Sequence, residues 1–335
     1  MKILDTLMPL RFLIGDLWSQ IRTKPSLALG REIQNSPPYF INLEPTSFCN
    51  LNCTICSLDG SRKNGHLRPQ IAELALNQAY ELKVTEIRFF LAGEPLFNPH
   101  LAEYIRMAKD RGFITNIHTN ATFMPQDRIT ALLEAGLDKI SFSFDGEHAE
   151  EYEKIRIGAK FDLTFNNIIN FLKAKKARGQ KFPLVTLQVI KLAGAPNCNI
   201  ITKDFKNLFQ GLPVDEFLLL NPFVWPGQEQ KPFNRQHGPR YYTCMIPWNS
   251  LSVVWDGRVV WCCGDLNGIG LLGDIRQQTL KEIWNGEKIR AIRRGLAHRT
   301  LQTLPLCRSC EAVYHWHHPV LSDLKDYLRQ IKRYL

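Results

Sequence analysis

The chain has 335 residues, of which 44% are hydrophobic and 22% are charged, and its formal net charge is +10. This composition is that of a globular protein and excludes a disordered or low-complexity chain. The excess of Lys and Arg is spread along the sequence, without the alternation of basic and aromatic residues that marks a nucleic-acid-binding surface, so no nucleic-acid partner is expected.

The first 38 residues predict a helical extension. Apolar residues recur at helical spacing from Ile3 to Ile21, and such a face can pack on the protein or lie on a membrane surface. A peripheral membrane contact through residues 1–22 therefore stays open. The sequence contains no transmembrane segment of about eighteen apolar residues, and its start lacks the cleavage site of a secretory signal. We expect a cytoplasmic protein.

The first predicted strand, YFINLEPT, is followed directly by three cysteines, Cys49, Cys53 and Cys56. Each iron of an iron–sulfur cluster takes four ligands, so three thiolates suit a cluster in which one iron stays open. A structural zinc site needs four ligands, and the nearest histidine, His66, lies ten residues beyond Cys56. The three cysteines therefore predict a cluster that can bind a further ligand.

Six apolar runs alternate with segments of helical periodicity in the first two thirds of the chain. The runs are YFINLEPT, EIRFFLAG, FITNIHTN, KISFSFDG, PLVTLQVIKL and EFLLLNPF. This alternation predicts a parallel α/β sheet, and the absence of a GxGxxG motif after the first strand favours an open barrel over a dinucleotide-binding fold. Polar residues collect at the carboxyl ends of the strands, where barrels carry their chemistry. They are Glu44, Glu94, Asn120, Asp145 and Asn221.

The spacing Cys49-x3-Cys53-x2-Cys56 resembles the signature of the radical S-adenosylmethionine (SAM) superfamily. In that family the three cysteines bind a [4Fe-4S] cluster and S-adenosyl-L-methionine chelates the open iron. LAGEPLFNP resembles the family's GGEP motif, HTNATF its third-strand end, and SFSFDGEHAEEYEKIRIGAKFD its S-x-DG stretch. Two positions depart from the pattern, because Ala92 replaces a glycine of GGEP and Ile55 an aromatic residue. The resemblance implies a partial six-stranded, TIM-like (β/α) barrel as the radical SAM core.

The resemblance also implies which residues contact SAM. The backbone of the GGEP-like motif would hold the amino group of SAM, and Arg156 would bind its carboxylate through two hydrogen bonds. Weaker contacts are expected at the ends of later strands, and Thr119 is expected only to pack. The implied SAM-binding residues are Ala92, Gly93, Glu94, Pro95, Asn120, Ser143, Arg156 and Gln188. No motif identifies a catalytic acid, base or hydrogen donor.

A second group of cysteines follows, Cys244, Cys262, Cys307 and Cys310. A β-hairpin with an Asp-Gly turn is predicted between the first two, and the segment LGDIRQQTLKEIWNGEKIRAIRRG, which precedes the CxxC pair, predicts a capped helix. Four thiolates can close around one cluster, and a four-cysteine zinc site fits the spacing as well. Cys263 is the alternative to Cys262, although the Gly-x4-Cys spacing favours Cys262.

This pattern resembles the C-terminal extension of SPASM and twitch radical SAM enzymes. No cysteine follows Cys310, so the resemblance implies one auxiliary [4Fe-4S] cluster, as in twitch-type sugar and aminocyclitol dehydrogenases. Cys198 is expected to be a plain thiol, and three histidines near the C-terminus, His315, His317 and His318, are expected to lie on the surface or to pack. The predicted parts are an N-terminal helical extension (1–38), the core barrel (39–225), the auxiliary domain (240–318) and a C-terminal helix (319–335).

The implied activity is reductive cleavage of SAM to a 5'-deoxyadenosyl radical, which abstracts hydrogen from a carbon of a small polar substrate, sugar-like or aminocyclitol-like. Because a fully ligated auxiliary cluster can accept an electron, a two-electron oxidation is the first expectation. An epimerase and a maturase of a ribosomally made peptide stay open, although 38 residues before the first strand are few for a peptide-binding winged helix. A zinc-binding module without catalysis is the alternative from another class. The expected protein partner is an electron donor such as flavodoxin or ferredoxin.

Overall fold

The computed structural model describes residues 21, 23–192, 197–220, 241, 243–310 and 313. Within this part of the chain one sheet of nine strands runs through the whole fold, in the order β6-β5-β4-β3-β2-β1-β7-β8-β9. The predictions for residues 1–20, for the helix 319–335, for Asn221 and for the three histidines lie outside the described residues.

The six predicted strands are confirmed, and each pairs in parallel with its neighbour along the chain. Parallel pairing follows from the helical crossover between successive strands. The fold is therefore the expected α/β fold of a partial barrel. The strands are β1 (Phe40–Leu43), β2 (Glu86–Phe89), β3 (Ile114–Thr119), β4 (Lys139–Ser143), β5 (Leu184–Ile190) and β6 (Glu216–Leu220).

Helices cover the outer face of these strands. Helix α2 shows why they do so, because Leu101, Tyr104, Ile105 and Ala108 repeat at helical spacing and are all buried. They join a core that includes Ile87 and other apolar residues of the strands. The alternate strand residues face the inside of the barrel. The helices are α1 (Pro69–Glu81), α2 (Leu101–Asp110), α3 (Gln126–Glu134), α4 (Ala149–Ile155), α5 (Phe161–Ala177) and α6 (Lys203–Asn207).

The predicted C-terminal hairpin is confirmed, with Val253 opposite Val259 across a turn in which Gly257 has φ +95°. The single helix predicted for the segment before the CxxC pair is wrong. The helix is interrupted at Asn285 and Gly286, so two shorter helices form. The sequence did not predict that β7 pairs in parallel with β1, which joins this region to the barrel sheet. The elements are α7 (Ile246–Asn249), β7 (Ser250–Val253), β8 (Arg258–Val260), β9 (Leu271–Asp274), α8 (Leu280–Trp284) and α9 (Glu287–Ala297).

The sequence predicts no transmembrane segment, and the length and hydropathy of the helices test this prediction. No helix among the described residues combines the length and the apolar character that crossing a bilayer requires.

Candidate functional site

The three cysteines of the first group lie on one closed loop at the carboxyl end of β1. A β-bridge between Thr46 and His66 closes this loop, and the Cys56 N–H donates to the Cys53 carbonyl at 3.1 Å within it. Cys49 is exposed, and the other two are partly buried. We call residues 47–65 the cysteine loop. The fold thus places the three predicted cluster ligands at the edge where barrel enzymes carry their chemistry.

Each sulfur of this loop has a hydrogen-bond donor nearby, and the donor to Cys56 belongs to the loop itself. Asn120 Nδ2 lies 3.9 Å from Cys49 Sγ, Arg156 Nη1 lies 3.8 Å from Cys53 Sγ, and the Leu58 N–H lies 3.5 Å from Cys56 Sγ. Although Cys49 is exposed at the surface, the protein around its thiol partly removes it from water and raises its pKa to about 11. Iron bound here would displace that proton, and the three donors would stabilise the negative charge on the sulfurs.

Two orphaned hydroxyl groups test whether iron–sulfur clusters fit these places. Ser57 Oγ and Ser309 Oγ are buried and have no hydrogen-bond partner among the described residues. Ser57 follows Cys56, and Ser309 lies between the two cysteines of the CxxC pair. Cluster and thiolate sulfurs accept hydrogen bonds, so both hydroxyls fit a sulfur-rich ligand at the places where the sequence predicts one.

The GGEP-like loop lies against the cysteine loop, backbone to backbone. The Glu94 N–H donates to the Phe48 carbonyl at 2.8 Å. Gly93 has φ +71°, and a Cβ at this position would lie 2.4 Å from Thr46 O and 2.7 Å from Phe48 O. Only glycine fits such a contact. Ala92, where the family pattern has its first glycine, is buried without this constraint.

The Glu94 carboxylate links the ends of β2 and β3. Its Oε1 accepts hydrogen bonds from Thr119 Oγ1 at 2.6 Å and the Leu96 N–H at 3.1 Å, and its Oε2 accepts one from the Asn120 N–H at 2.7 Å. Burial raises the pKa of Glu94, and these hydrogen bonds oppose the shift. Thr119, expected only to pack, is a hydrogen-bond donor. The Glu94 carboxylate is therefore hydrogen-bonded inside the protein. We expect the GGEP-like motif to contact SAM through its backbone and not through this side chain.

Arg156 is held by Asp145, a partner that the sequence did not predict. Its Nε and Nη2 donate to Asp145 Oδ2 at 2.9 and 2.6 Å, and the Ile190 N–H donates to Asp145 Oδ1 at 2.9 Å. Burial lowers the pKa of Arg156, but the Asp145 charge opposes burial and the net shift is upward. Arg156 therefore stays charged beside Cys53. A SAM carboxylate would meet the part of the guanidinium that faces away from Asp145.

The remaining predicted SAM contacts lie at the same edge of the sheet. Asn120 follows β3, and its amide also donates to Asn50 Oδ1 at 3.2 Å within the cysteine loop. Ser143 and Gln188 are register partners on β4 and β5, and both are half-buried. The fold brings the predicted residues together around the cysteine loop, and their contacts with SAM stay predictions.

The second cysteine group gathers in the C-terminal region. Cys244 precedes α7, Cys262 follows β8, and the Cys310 N–H donates to the Cys307 carbonyl at 3.2 Å. Burial raises the pKa of Cys244 to about 12, and the charge of Cys310 acts in the same direction. A hydrogen bond with Cys263 raises the pKa of Cys262 and burial raises that of Cys307, and the charges of Cys244 and Cys310 act on both in the same direction. The four thiols can surround one cluster.

Cys262 and Cys263 differ in their surroundings. Cys262 Sγ accepts a hydrogen bond from the Gly264 N–H at 3.3 Å. Cys263 packs against the apolar residues Leu91, Val254 and Val260. The spacing predicts Cys262 as the ligand, but a hydrogen bond between the two thiols lowers the pKa of Cys263 and raises that of Cys262. The choice between them stays a prediction.

The cysteine loop and the C-terminal region are joined by two sets of hydrogen bonds that the sequence did not reveal. Asn267 donates to the Ser57 carbonyl at 2.9 Å and accepts from the Asp59 N–H at 3.2 Å. The buried Glu44 carboxylate accepts from both terminal nitrogens of Arg62 and from the Trp255 N–H at 3.0 Å. We call these contacts the loop junction.

Comparison with known families and structures agrees with both halves of this site. The profile of the radical SAM superfamily matches residues 43–187, and that of the SPASM iron-sulfur cluster-binding domain matches residues 244–311. Together the two segments make up more than half of the chain. Both matches lie within the parts predicted for the barrel and the auxiliary domain.

Three solved structures share the fold. BtrN in complex with AdoMet and 2-DOIA has a TM-score of 0.53 and 21% identity, over 82% of this chain and 93% of that one. The anSMEcpe protein with bound AdoMet has a TM-score of 0.61 and 18% identity, over 89% and 98%. SuiB of Streptococcus suis bound to the precursor peptide SuiA has a TM-score of 0.65 and 14% identity, over 84% and 76%.

The two family matches imply the cofactors as well, namely SAM, a [4Fe-4S] cluster that binds it, and an auxiliary iron–sulfur cluster. The cysteine loop, the GGEP-like loop beside it and the gathered C-terminal thiols fit that set. The chain therefore belongs to the radical SAM superfamily, as an enzyme with a SPASM iron–sulfur cluster-binding domain.

Proposed function

We propose that this enzyme oxidises a hydroxyl-bearing carbon of a small polar substrate, sugar-like or aminocyclitol-like, by two electrons. The observation that carries the proposal is that the SPASM match, residues 244–311, contains the four cysteines Cys244, Cys262, Cys307 and Cys310, in a region joined to the cysteine loop. Four protein ligands leave no iron open for substrate, so a cluster held there would exchange electrons. BtrN, crystallised with 2-DOIA, has the same fold over most of its length.

The protein's own residues would bind and orient the reactants. Cys49, Cys53 and Cys56 would hold the first cluster, Arg156 the SAM carboxylate, and the GGEP-like loop the SAM amino group. When bound, the cluster supplies the electron that cleaves SAM, and the resulting radical takes a hydrogen atom from the substrate. The inner face of the barrel would exclude water from this step. The second electron must then leave the substrate together with the hydroxyl proton, and the four-cysteine site would accept that electron.

Reconstitution with iron and sulfide under anaerobic conditions tests the proposed ligands. We expect about eight iron atoms per chain, since two [4Fe-4S] clusters are proposed. With dithionite and SAM the protein should form 5'-deoxyadenosine, and a triple variant of Cys49, Cys53 and Cys56 to Ala should lose this activity and about half of the iron. A protein that binds stoichiometric zinc and no iron under these conditions would be a zinc-binding module instead.

Deuterated substrate candidates then test the reaction type. Polyhydroxylated compounds and aminocyclitols labelled at carbon are supplied with SAM and reductant. Oxidation predicts deuterium in 5'-deoxyadenosine and a product two hydrogens lighter. Consumption of SAM with a product of unchanged oxidation state would indicate an epimerase. Replacing dithionite by a flavodoxin or ferredoxin system tests the proposed electron donor.

A second candidate function is the maturation of a ribosomally made peptide. SuiB bound to its precursor peptide and anSMEcpe bound to the Cp18Cys peptide favour it, because both share this fold. A gene for a short precursor peptide beside the gene of this enzyme would support the peptide function. Deuterium transfer from that peptide, and none from the polyhydroxylated compounds, would replace the first proposal by the second.

A further inference from the structure

The segment that precedes β1 exposes a group of apolar side chains. Residues 23–28 are helical, and positions 21, 25, 28 and 29 fall on one face of a helix. The exposed fractions of Ile21, Leu29 and Ile33 are 53%, 66% and 51%. We call the exposed apolar residues of this segment the N-terminal stripe, which consists of Ile21, Pro25, Ala28, Leu29 and Ile33.

The buried side of the same segment is polar. Thr23 and Ser26 are both buried, between the exposed positions of the stripe. Ser26 Oγ donates to Gln34 Oε1 at 2.9 Å, and Gln34 Nε2 donates to the Trp248 carbonyl at 3.2 Å. A helix on the surface of a globular protein normally turns its apolar side to the core, so this arrangement is reversed. A reversed helix of this kind indicates that its apolar side contacts something outside the protein.

The C-terminal region fixes the stripe in this orientation. Trp248 Nε1 donates to the Arg31 carbonyl at 2.8 Å. Asn285 exchanges two hydrogen bonds with the backbone of Gln34, accepting from its N–H at 2.9 Å and donating to its carbonyl at 3.0 Å. The segment would have to break these bonds, and those of Ser26, to turn its apolar side inward. The stripe is therefore a fixed surface of the protein.

The charges around the stripe favour contact with an anionic surface. Glu32 accepts hydrogen bonds from Arg294 Nε and Nη2, both at 2.7 Å, and Glu287 pairs with Arg290 and Arg294 of α9 at 3.6 Å. These two carboxylates are thus balanced by two arginines. Arg31, in the same segment as the stripe, is exposed, and the whole chain has a formal net charge of +10. Such a protein is attracted to anionic lipid headgroups.

We propose that the N-terminal stripe binds the surface of a membrane that contains anionic lipids. Its apolar side chains enter the boundary between the headgroups and the acyl chains, and Arg31 meets the lipid phosphates. The contact is peripheral, because the stripe lies along the surface and does not span the bilayer. This inference concerns the place where the enzyme works and does not depend on the reaction that it catalyses.

Two observations favour a membrane over a second copy of the chain. A stable protein interface takes about 800 Å² from each partner, which is more than five side chains of one short segment offer. The stripe also continues a pattern of the sequence, since apolar residues recur at helical spacing from Ile3 to Ile21, directly before it. A long, narrow apolar row beside basic residues is typical of helices that lie on a membrane surface.

Flotation with lipid vesicles tests the proposal on the reconstituted full chain. We expect it to float with vesicles of phosphatidylcholine and phosphatidylglycerol in equal amounts. The double variant Leu29→Ser, Ile33→Ser should lower the partition coefficient by about tenfold or more, because two large apolar side chains leave the contact. The matched control is Ile200→Ser with Leu208→Ser, since these residues are of the same types and are 54% and 51% exposed elsewhere on the surface. Its partition coefficient should be unchanged.

Charge reversal tests the part of the anionic lipids. Arg31→Glu should weaken binding to the same vesicles by about fivefold or more, and Lys173→Glu, the same change at an exposed position of α5, should weaken it less. Iron content and circular dichroism confirm that each variant is folded. The proposal is overturned if the wild type does not float, or if the stripe variant and its control lose binding equally or not at all. A wild-type dimer in sedimentation velocity that the stripe variant dissociates, without vesicle binding, would assign the stripe to a second copy instead.

Discussion

At the scale of single residues, the Arg156–Asp145 pair determines the charge beside the cysteine loop. Asp145 is fully buried, and its only cationic partner among the described contacts is Arg156. We expect Arg156→Ala to weaken SAM binding by about 1.5 to 3 kcal/mol, the contribution of a charge-assisted contact. The same change leaves the buried Asp145 carboxylate without its cationic partner, so the free energy of unfolding should fall by about 3 kcal/mol. Equilibrium SAM binding and urea unfolding measure the two effects.

Asp145→Asn is the matched control for this prediction. It keeps Arg156 charged and retains an oxygen that can accept from the Ile190 N–H. SAM binding should therefore survive in Asp145→Asn better than in Arg156→Ala. Unchanged SAM affinity in Arg156→Ala would show that another residue binds the carboxylate.

The Arg156–Asp145 pair also shows which features of single residues the sequence predicts and which it does not. The motif that contains Arg156 is recognisable, because cysteine spacing and strand ends are local features. Its partner lies eleven residues earlier in the chain, and Glu94 is bound by Thr119 from another strand. Such pairs depend on how strands are placed in space, which local sequence does not encode.

At the scale of elements, the turn after β2 holds the cysteine loop through Gly93. Ala at this position would place a Cβ 2.4 Å from the carbonyl oxygen of Thr46, a backbone atom that cannot rotate away. It would also have to adopt φ +71°. We expect Gly93→Ala to lower the free energy of unfolding by roughly 2 to 4 kcal/mol and to loosen the first cluster. Urea unfolding and the rate of iron release to a chelator measure these effects.

Gly179→Ala separates crowding from backbone strain. Gly179 has φ +61°, but no heavy atom lies within 4 Å of the position that an alanine Cβ would take, so only the strain of about 1 kcal/mol applies. Equal losses of stability in the two variants, or normal iron retention in Gly93→Ala, would contradict the role given to the close contact.

The elements themselves are largely predictable from sequence. Hydrophobic periodicity and the turn residues that bound it predict a strand or a helix because these signals are local. They identify all six barrel strands. The helix after β9 is the exception. Gly286 caps α9 directly after Asn285 ends α8, and a break of this kind leaves the apolar periodicity on both sides intact. Pairing of β7 with β1 is a contact between distant segments, so no local pattern predicts it.

At the scale of the whole molecule, the loop junction connects the two cluster sites. Glu44 lies at the end of β1, Arg62 in the cysteine loop, and Trp255 in the hairpin turn. Because a single buried carboxylate accepts from both of these segments, displacement of one would be felt by the other. The C-terminal region thus positions the loop that carries Cys49, Cys53 and Cys56, in addition to any role in electron transfer.

Asn267→Ala tests this coupling without removing a cysteine. It deletes the hydrogen bonds to Ser57 and Asp59, each worth about 1 kcal/mol. We expect the electron paramagnetic resonance signal of the first cluster to change and its iron to be released faster. Asn77→Ala is the control, because Asn77 accepts from Arg111 at 2.7 Å on the outer helices. A first cluster that is identical in both variants would mean that the junction has no influence on it.

The roles of the two clusters can then be separated by a double variant, Cys307→Ala with Cys310→Ala. Since four cysteines leave no open iron, loss of this cluster cannot remove the iron to which SAM binds, and it should block only the exit of the second electron. The variant should still form 5'-deoxyadenosine but no oxidised product. Loss of the auxiliary cluster can also act through the loop junction. A bound cluster contributes folding energy to the C-terminal region, and that region holds the cysteine loop. Asn267→Ala measures the size of that effect separately, so any larger loss of SAM cleavage in the double variant reflects unfolding, checked by circular dichroism. Normal formation of oxidised product by a well-folded double variant would make the auxiliary site structural and would remove the main support for an oxidation.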